Sequence, residues 1–340
     1  MGGKALKNAY TRRYNAIEFK NLVEEILPVI RKEFNTEAEV IVAYKNKESF
    51  GDIDILIKNN STDVNIILEN IERIFNPTQI HRNTDCISFD YKEIQIDFIL
   101  TTPENWEISQ IFFSYNDLGN LQGKIAHRFG LKYGYDGLKI AYYTKDDKIK
   151  KLDNIYISRD ARKIFQFLGF DYDRYLLGFD NLNDIFDYVI DSKYFDPEVF
   201  KMEHLNNIDR SRNKKRANYQ IFLDYIKDKS AKTKWINGED KSKYVDEIHD
   251  FFNPPFNLKS KISELEEKEK LRREIKSKFN GNLIMEWVPE YKGNRLGKIM
   301  LAFSQYIEKE HKSFDEWLSL QTDENIKKQF LKFSKDFKDA

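Results

Sequence analysis

Asp52 and Asp54 stand one residue apart in the run DIDILI, and Asp97 stands in the run IQIDFIL. On an extended strand, residues i and i+2 point to the same side, so Asp52 and Asp54 share one face while Ile53 and Ile55 occupy the other. Asp97 repeats the alternation between Ile96 and Phe98. If the two strands are neighbours, three carboxylates converge. Acids this close repel and raise one another's pKa unless a cation neutralises them, and hard oxygen ligands in this number suit Mg²⁺ or Mn²⁺. Two such ions about 3.5–4 Å apart serve phosphoryl transfer, one acting on an attacking hydroxyl and the other on the phosphates and leaving group. Asp97, from the separate strand, is the candidate ligand for the ion that touches the hydroxyl. An isolated Asp-x-Asp also fits the solvated entrance of an edge strand. The approach Ser49-Phe50-Gly51, the apolar strand behind the pair and the third aspartate together favour the metal.

The elements that must position these acids are legible as short periodic runs. Residues 14–34 place Ile17, Leu22, Ile26, Val29 and Ile30 along a helix. The runs 38–44 and 53–57 are short and β-branched enough for buried strands, with the polar turn KNKES between them. Residues 63–75 predict a second helix closed by Asn76-Pro77, and 86–90 and 94–100 predict strands joined at Tyr91-Lys92-Glu93. These runs predict an α+β class, a small mixed sheet with helices against it. Beyond Pro103 the text is helical and aromatic, then a hairpin spans 131–143. Helical pattern follows to about 234, and a charged helix is expected at 258–279. The expected division is 1–103, 104–180 and a helical 181–340.

Composition narrows the setting without naming a partner. With 340 residues, 41% hydrophobic and 33% charged, the chain is long enough for more than one core and has globular composition. Fifty-six Lys and Arg balance 56 Asp and Glu, so only local clusters can argue for a nucleic acid or another charged partner. Cys86 is the only cysteine, which excludes an intrachain disulfide and a multi-cysteine zinc site. A cytoplasmic protein without a membrane segment is the expectation. The five histidines are scattered, none paired at ligand spacing.

The string S-F-G-D-I-D-I-L-I resembles the catalytic signature of the DNA polymerase β-type nucleotidyltransferase superfamily, and I-Q-I-D-F-I-L resembles the strand carrying its third aspartate. The stretch F-F-S-Y-N-D-L-G-N-L-Q-G-K-I-A-H-R-F-G-L-K-Y-G-Y-D-G-L, beginning at Phe112, resembles the nucleotide-pocket and thumb region of family X DNA polymerases. The resemblance covers about residues 30–180. It implies a palm followed by a thumb-like unit, with Asp52, Asp54 and Asp97 as metal ligands and catalytic groups. It implies transfer of a nucleoside monophosphate from a nucleoside or deoxynucleoside triphosphate to the 3′-hydroxyl of DNA or RNA. It further places Phe112, Phe113 and Tyr115 near the sugar and base of the incoming nucleotide, and Asn120 at the base or minor groove. One departure stands out: the superfamily's Gly-Ser dipeptide, which holds the terminal phosphates, is replaced here by Ala43-Tyr44-Lys45-Asn46-Lys47-Glu48-Ser49. Ser49 and Gly51, with Lys45 or Lys47, are then the expected phosphate contacts, as hydrogen-bond donors and point charges.

The carboxyl-terminal third is similar, over short stretches, to the tail motif of CCA-adding enzymes: Gly281-Asn282-Leu283-Ile284, then Gly293 to Met300. Leu296, Ile299, Met300 and Phe303 have the spacing of a core stripe, while Arg295 and Lys298 near a helix start at Gly293 could meet a phosphate. Arg212, Lys214, Lys215 and Arg216 open a basic tract with Tyr219, Phe222 and Tyr225 interleaved. Such a tract can neutralise phosphates and stack bases, or it can be the wet side of a helix whose aromatics are core. The alternatives left open are a tRNA or RNA 3′-end enzyme, AMP transfer to a protein or small molecule, and a binding module that has lost catalysis.

Overall fold

A computed structural model describes residues 5–144 and 151–337. The chain begins with a two-residue strand β1 (Tyr14–Asn15) leading into helix α1 (Ala16–Glu33). The helix starts where it does because Asn15 and Glu18 form a reciprocal cap: the Asn15 side chain accepts from the Ile17 and Glu18 backbone N–H groups, and the Glu18 carboxylate accepts from Asn15 N at 2.9 Å. Leu22, Ile26 and Ile30 form its buried line, with Phe19, Val23 and Leu27 beside them. Ile17 and Val29, expected on that face, are 73% and 39% exposed, because the four-residue step through 22, 26 and 30 leaves both off the line.

Next come β2 (Ala38–Val40), β3 (Ser49–Phe50), β4 (Asp52–Lys58), α2 (Val64–Phe75), β5 (Ile80–Asn83), β6 (Cys86–Tyr91) and β7 (Ile94–Thr101). β2 is shorter than the predicted strand over 38–44, since 41–44 leave the ladder after one bond from Ile41 N to the Asp54 carbonyl. β5 is a strand that the sequence reading did not predict. The five-stranded sheet has the order β2-β4-β7-β6-β5. Only β4 and β7 run parallel, with α2 and the β5–β6 ribbon filling the crossover between them. Ile53, Ile55, Ile57, Ile87, Phe89, Ile96 and Phe98 project from one face into a core closed by α1 and α2. The opposite face is where the acids stand.

The chain then forms α3 (Trp106–Phe113), α4 (Leu118–Ala126) and a hairpin of β8 (Lys132–Gly134) and β9 (Gly137–Tyr143), joined by β10 (Lys151–Ser158) in a three-stranded sheet. Helices α5 (Ala161–Phe167), α6 (Tyr172–Leu177), α7 (Leu182–Asp191), α8 (Asn207–Lys214), α9 (Ala217–Tyr225) and α10 (Val245–Phe252) follow. Residues 5–141 and 154–255 belong to one compact unit. The expected boundaries at 103 and 180 both fall inside it.

Residues 142–144, 151–153 and 256–337 belong to the second unit. Its helices are α11 (Leu258–Lys278), α12 (Gly281–Trp287), α13 (Gly293–Ile307), α14 (Phe314–Leu320) and α15 (Asp323–Asp336). The predicted charged helix is α11, whose buried Glu269 accepts from Arg272 at 2.7 and 2.9 Å. Ile299 and Phe303 are buried in this unit's core, and Leu296 and Met300 border it, so the stripe at 296–303 is packing. No helix among the described residues is long and apolar enough to cross a membrane.

Candidate functional site

The sheet meets the condition set by the sequence: β4 and β7 are hydrogen-bonded neighbours. Their parallel register puts Asp54 directly beside Asp97, and Asp52 beside Gln95. The antiparallel β6 adds Ser88 on the far side of Asp97, so Asp54, Asp97 and Ser88 form one row across three strands. Carboxylate oxygens of Asp52, Asp54 and Asp97 all lie within 4.8 Å of one another. Asp97 is 8% exposed, and Asp52 and Asp54 are half-buried.

The electrostatics follow from that crowding. Burial first, then the charges of Asp52 and Asp97, push the Asp54 carboxyl well above its ordinary range. Burial likewise pushes Asp97 up to about 6; the Asp52 charge adds to this, and hydrogen bonds from Ser88 and Gln95 oppose it. Gln95 Nε2 donates to both Asp97 oxygens, at 2.9 and 3.0 Å, and Gln95 Oε1 accepts from Ala5 N at 3.0 Å. The amino-terminal segment thus orients the third acid through one glutamine. Cys86 lies nearby with its thiol pushed up to about 12, chiefly by burial, so it stays protonated and unreactive at neutral pH.

The donor set fits a hard divalent cation: three oxygen ligands on rigid strands, with repulsion that a cation relieves. Gln95→Leu keeps the volume at 95 and removes the donor pair that holds Asp97. Outer-sphere partners of this kind typically carry about 10- to 100-fold in metal affinity. A Mn²⁺ titration by calorimetry is expected to show about tenfold weaker binding, and an unchanged affinity would assign Gln95 to packing alone.

The expected phosphate contacts separate. Lys45 turns away to pair with Asp180 at 2.8 Å, and its pKa is raised by that hydrogen bond. Lys47 faces the acids instead: burial lowers its pKa, and Asp52 and Asp54 raise it. Ser49 pairs with Asn15 in the β1–β3 ribbon, and its Oγ accepts from Arg13 Nε at 2.5 Å. Gly51 is buried at the join of β3 and β4. Sequence reading missed Arg13, Gln95 and Ser88. Alternation on β7 could have flagged Gln95, two residues before Asp97 on the same face, whereas nothing local marks Arg13.

The expected base and sugar contacts are each engaged within the protein. Phe112 meets Phe113 and Tyr133 edge to face, with centroids at 5.4 and 5.3 Å. Tyr115 is buried against Tyr175 and Phe179, its φ is +59°, and its N–H donates to the Val42 carbonyl at 2.7 Å. That left-handed backbone is costly for a tyrosine and persists because the surrounding aromatics hold it. Asn120 Nδ2 donates to Asn213 Oδ1 at 3.2 Å.

In the basic tract, Arg212, Lys214 and Lys215 are exposed at the end of α8, while Arg216 forms an ion pair with Asp117. Tyr219 and Phe222 are fully buried, which removes them from any base-stacking role and makes them core. Arg295 and Lys298 lie on α13 in the second unit, with Arg295 over the Tyr291 ring at 4.7 Å. The structure also gathers one histidine that the sequence left scattered: His204 Nε2 lies 3.4 and 3.6 Å from carboxylate oxygens of Glu198 and Glu203.

No protein-family model matches the chain. No curated protein matches it either. Among solved structures it is similar to the polymerase beta of Leishmania infantum in a ternary P/T complex, at 11% identity and a TM-score of 0.36, over 47% of this chain and 74% of that one.

Proposed function

We propose that this chain is a metal-dependent nucleotidyltransferase, DNA polymerase X-like, that adds a nucleoside monophosphate to the 3′-hydroxyl of a nucleic acid. The observation that carries the reading is the convergence of Asp52, Asp54 and Asp97 from a parallel strand pair onto the face of the sheet opposite its core. In this reading residues 1–103 act as a palm, 104–180 as the nucleotide-pocket and thumb-like unit, and 181–340 as the helical substrate-binding region. Asp52, Asp54 and Asp97 would hold Mg²⁺ or Mn²⁺, which would supply charge neutralisation and lower the pKa of the attacking hydroxyl.

The chain's own groups do the rest. The rigid β4–β7 pair fixes the spacing of the acids, and Gln95 and Ser88 keep Asp97 aimed. In the reaction the 3′-hydroxyl gives up its proton to water, its oxygen bonds to the α-phosphorus, and the bond to the bridging oxygen breaks, releasing pyrophosphate. Arg212, Lys214 and Lys215 contribute sequence-independent contacts to the nucleic-acid backbone.

The test mixes the protein with Mg²⁺ or Mn²⁺, labelled nucleoside triphosphates, and a panel of primer–template, single-stranded and tRNA substrates, beside Asp97→Ala. Elongation that disappears in the variant is the expected result. Labelling of protein or of a small molecule, with none on any nucleic acid, would overturn the acceptor. No transfer to anything would overturn the reaction.

A further inference from the structure

The loss of the Gly-Ser dipeptide leaves open what would hold the far end of a triphosphate. We infer that Arg13 and Lys47 form this polyphosphate subsite, so that the strand before α1 belongs to the active site. The assignment rests on the nucleotidyl-transfer reading above.

The geometry brings the two cations together from separate parts of the sequence. β1 pairs antiparallel with β3, Tyr14 opposite Phe50 and Asn15 opposite Ser49, and Arg13 lies at the end of this ribbon. Its guanidinium donates through Nε to Ser49 Oγ and through Nη2 to the Ser49 carbonyl at 2.7 Å. Ser49 Oγ is thereby used as an acceptor, which leaves its own proton for an incoming oxygen. Lys47 is anchored with its ammonium over the Phe50 ring, 4.6 Å from the centroid, and Phe50 is itself stacked on Phe19 at 3.9 Å.

Among the described residues, neither Arg13 nor Lys47 has a carboxylate within ion-pair distance. Lys47 feels the negative charges of Asp52 and Asp54 and the positive charge of Arg13. Two cations anchored on the adjacent residues Ser49 and Phe50 repel each other, and an anion between them relieves this. Among the described residues, Asp52 and Asp54 are the carboxylates that act on Lys47, and divalent cations on them would leave it free to meet another anion. A chain of phosphates running from the acids toward Ser49 meets Lys47 as a point charge and Arg13 as a fork of donors. Lys45, paired with Asp180, is outside this subsite.

The experiment compares ATP and AMP binding by calorimetry, with Ca²⁺ as the divalent cation to suppress turnover. The proteins are the unaltered chain, Arg13→Gln, Lys47→Gln, Lys45→Gln and Asp52→Asn, with AMP affinity and melting temperature as controls for folding. Expected is a preference for ATP over AMP that falls by about tenfold in Arg13→Gln and in Lys47→Gln, with AMP affinity and Lys45→Gln unchanged. If Asp52→Asn weakens Ca²⁺-dependent ATP binding while Arg13→Gln and Lys47→Gln leave the ATP-to-AMP ratio intact, the subsite is overturned and nucleotidyl transfer stands. If the unaltered chain binds neither nucleotide with Ca²⁺, the reading of the site falls and takes this assignment with it. Should Arg13→Gln unfold, Ser49→Ala removes the Nε half of its anchor and carries the same direction with a smaller fall, the bond to the residue 49 carbonyl being kept.

Discussion

Asp97→Asn is expected to abolish nucleotide transfer, by at least about 10³-fold, and at the same time to make the metal-free protein harder to unfold at pH 8. On the proposed reading, loss of activity follows from removing a ligand of a metal that would lend several kcal/mol of charge stabilisation to the transition state. The gain in stability follows from the same crowding that makes the site. Asp97 is 8% exposed and its carboxyl is pushed from 3.8 to about 6, first by burial and then by Asp52. A folded-state value above the unfolded one means that the native chain binds the extra proton. Without metal, stability from this group is intact below about pH 4 and declines as the pH rises through about 6. The full cost at pH 8 is about 3 kcal/mol.

Asparagine carries no charge and escapes that cost. Melting curves without metal should therefore coincide near pH 4 and separate as the pH rises, the variant melting higher. Added Mg²⁺ should narrow the gap by stabilising only the unaltered chain, through binding to the folded state. Curves that stay parallel at every pH would show that Asp97 is not strained by its neighbours, and would remove the physical case for a cation there.

Gly119→Val is expected to destabilise the first unit by at least about 3 kcal/mol, lowering its melting temperature by roughly 6–12 °C. Gly119 lies on α4 where the helix crosses α3, and a Cβ placed there would sit 2.3 Å from the Phe112 carbonyl oxygen and 2.8 Å from its ring carbon Cδ2. Backbone cannot yield as a flexible side chain can, so α3 and α4 must move apart. That movement would loosen Phe112 from Tyr133 and Phe113 and open the aromatic layer after the sheet. Differential scanning calorimetry checks it, and alanine serves as the graded comparison with a smaller fall. Unchanged melting in both variants would place α3 and α4 farther apart than the structure has them.

Much of the sheet was readable in the sequence because its signals are local. The alternation in DIDILI and IQIDFIL assigns the acids to one face and the isoleucines to the other without knowledge of the neighbouring strand. Asp63 caps α2 and Asn76 ends it in a left-handed turn, as the polar brackets around 64–75 suggest. The stripe at 296–303 announced core at helical spacing, and Ile299 and Phe303 are buried with Leu296 and Met300 at their border; Tyr219 and Phe222, which the sequence left open between core and base stacking, are buried too. Short edge elements carry little periodicity, so β1, β3 and β5 escaped.

The sequence by itself determined the residue types of the site, their faces on the strands and the α+β class. Only the tertiary structure decided that β4 and β7 lie side by side with Asp54 beside Asp97, because strand adjacency is set by how α2 and the β5–β6 ribbon return the chain, not by the local pattern of either strand. It also decided where the cations of the loop before the acids go. Lys45 and Lys47 look alike in the text, but one finds Asp180 and the other Phe50, and Arg13 reaches Ser49 through a strand pairing that spans the whole of α1. Side-chain charge is a property of the residue; which charge it meets is a property of the fold.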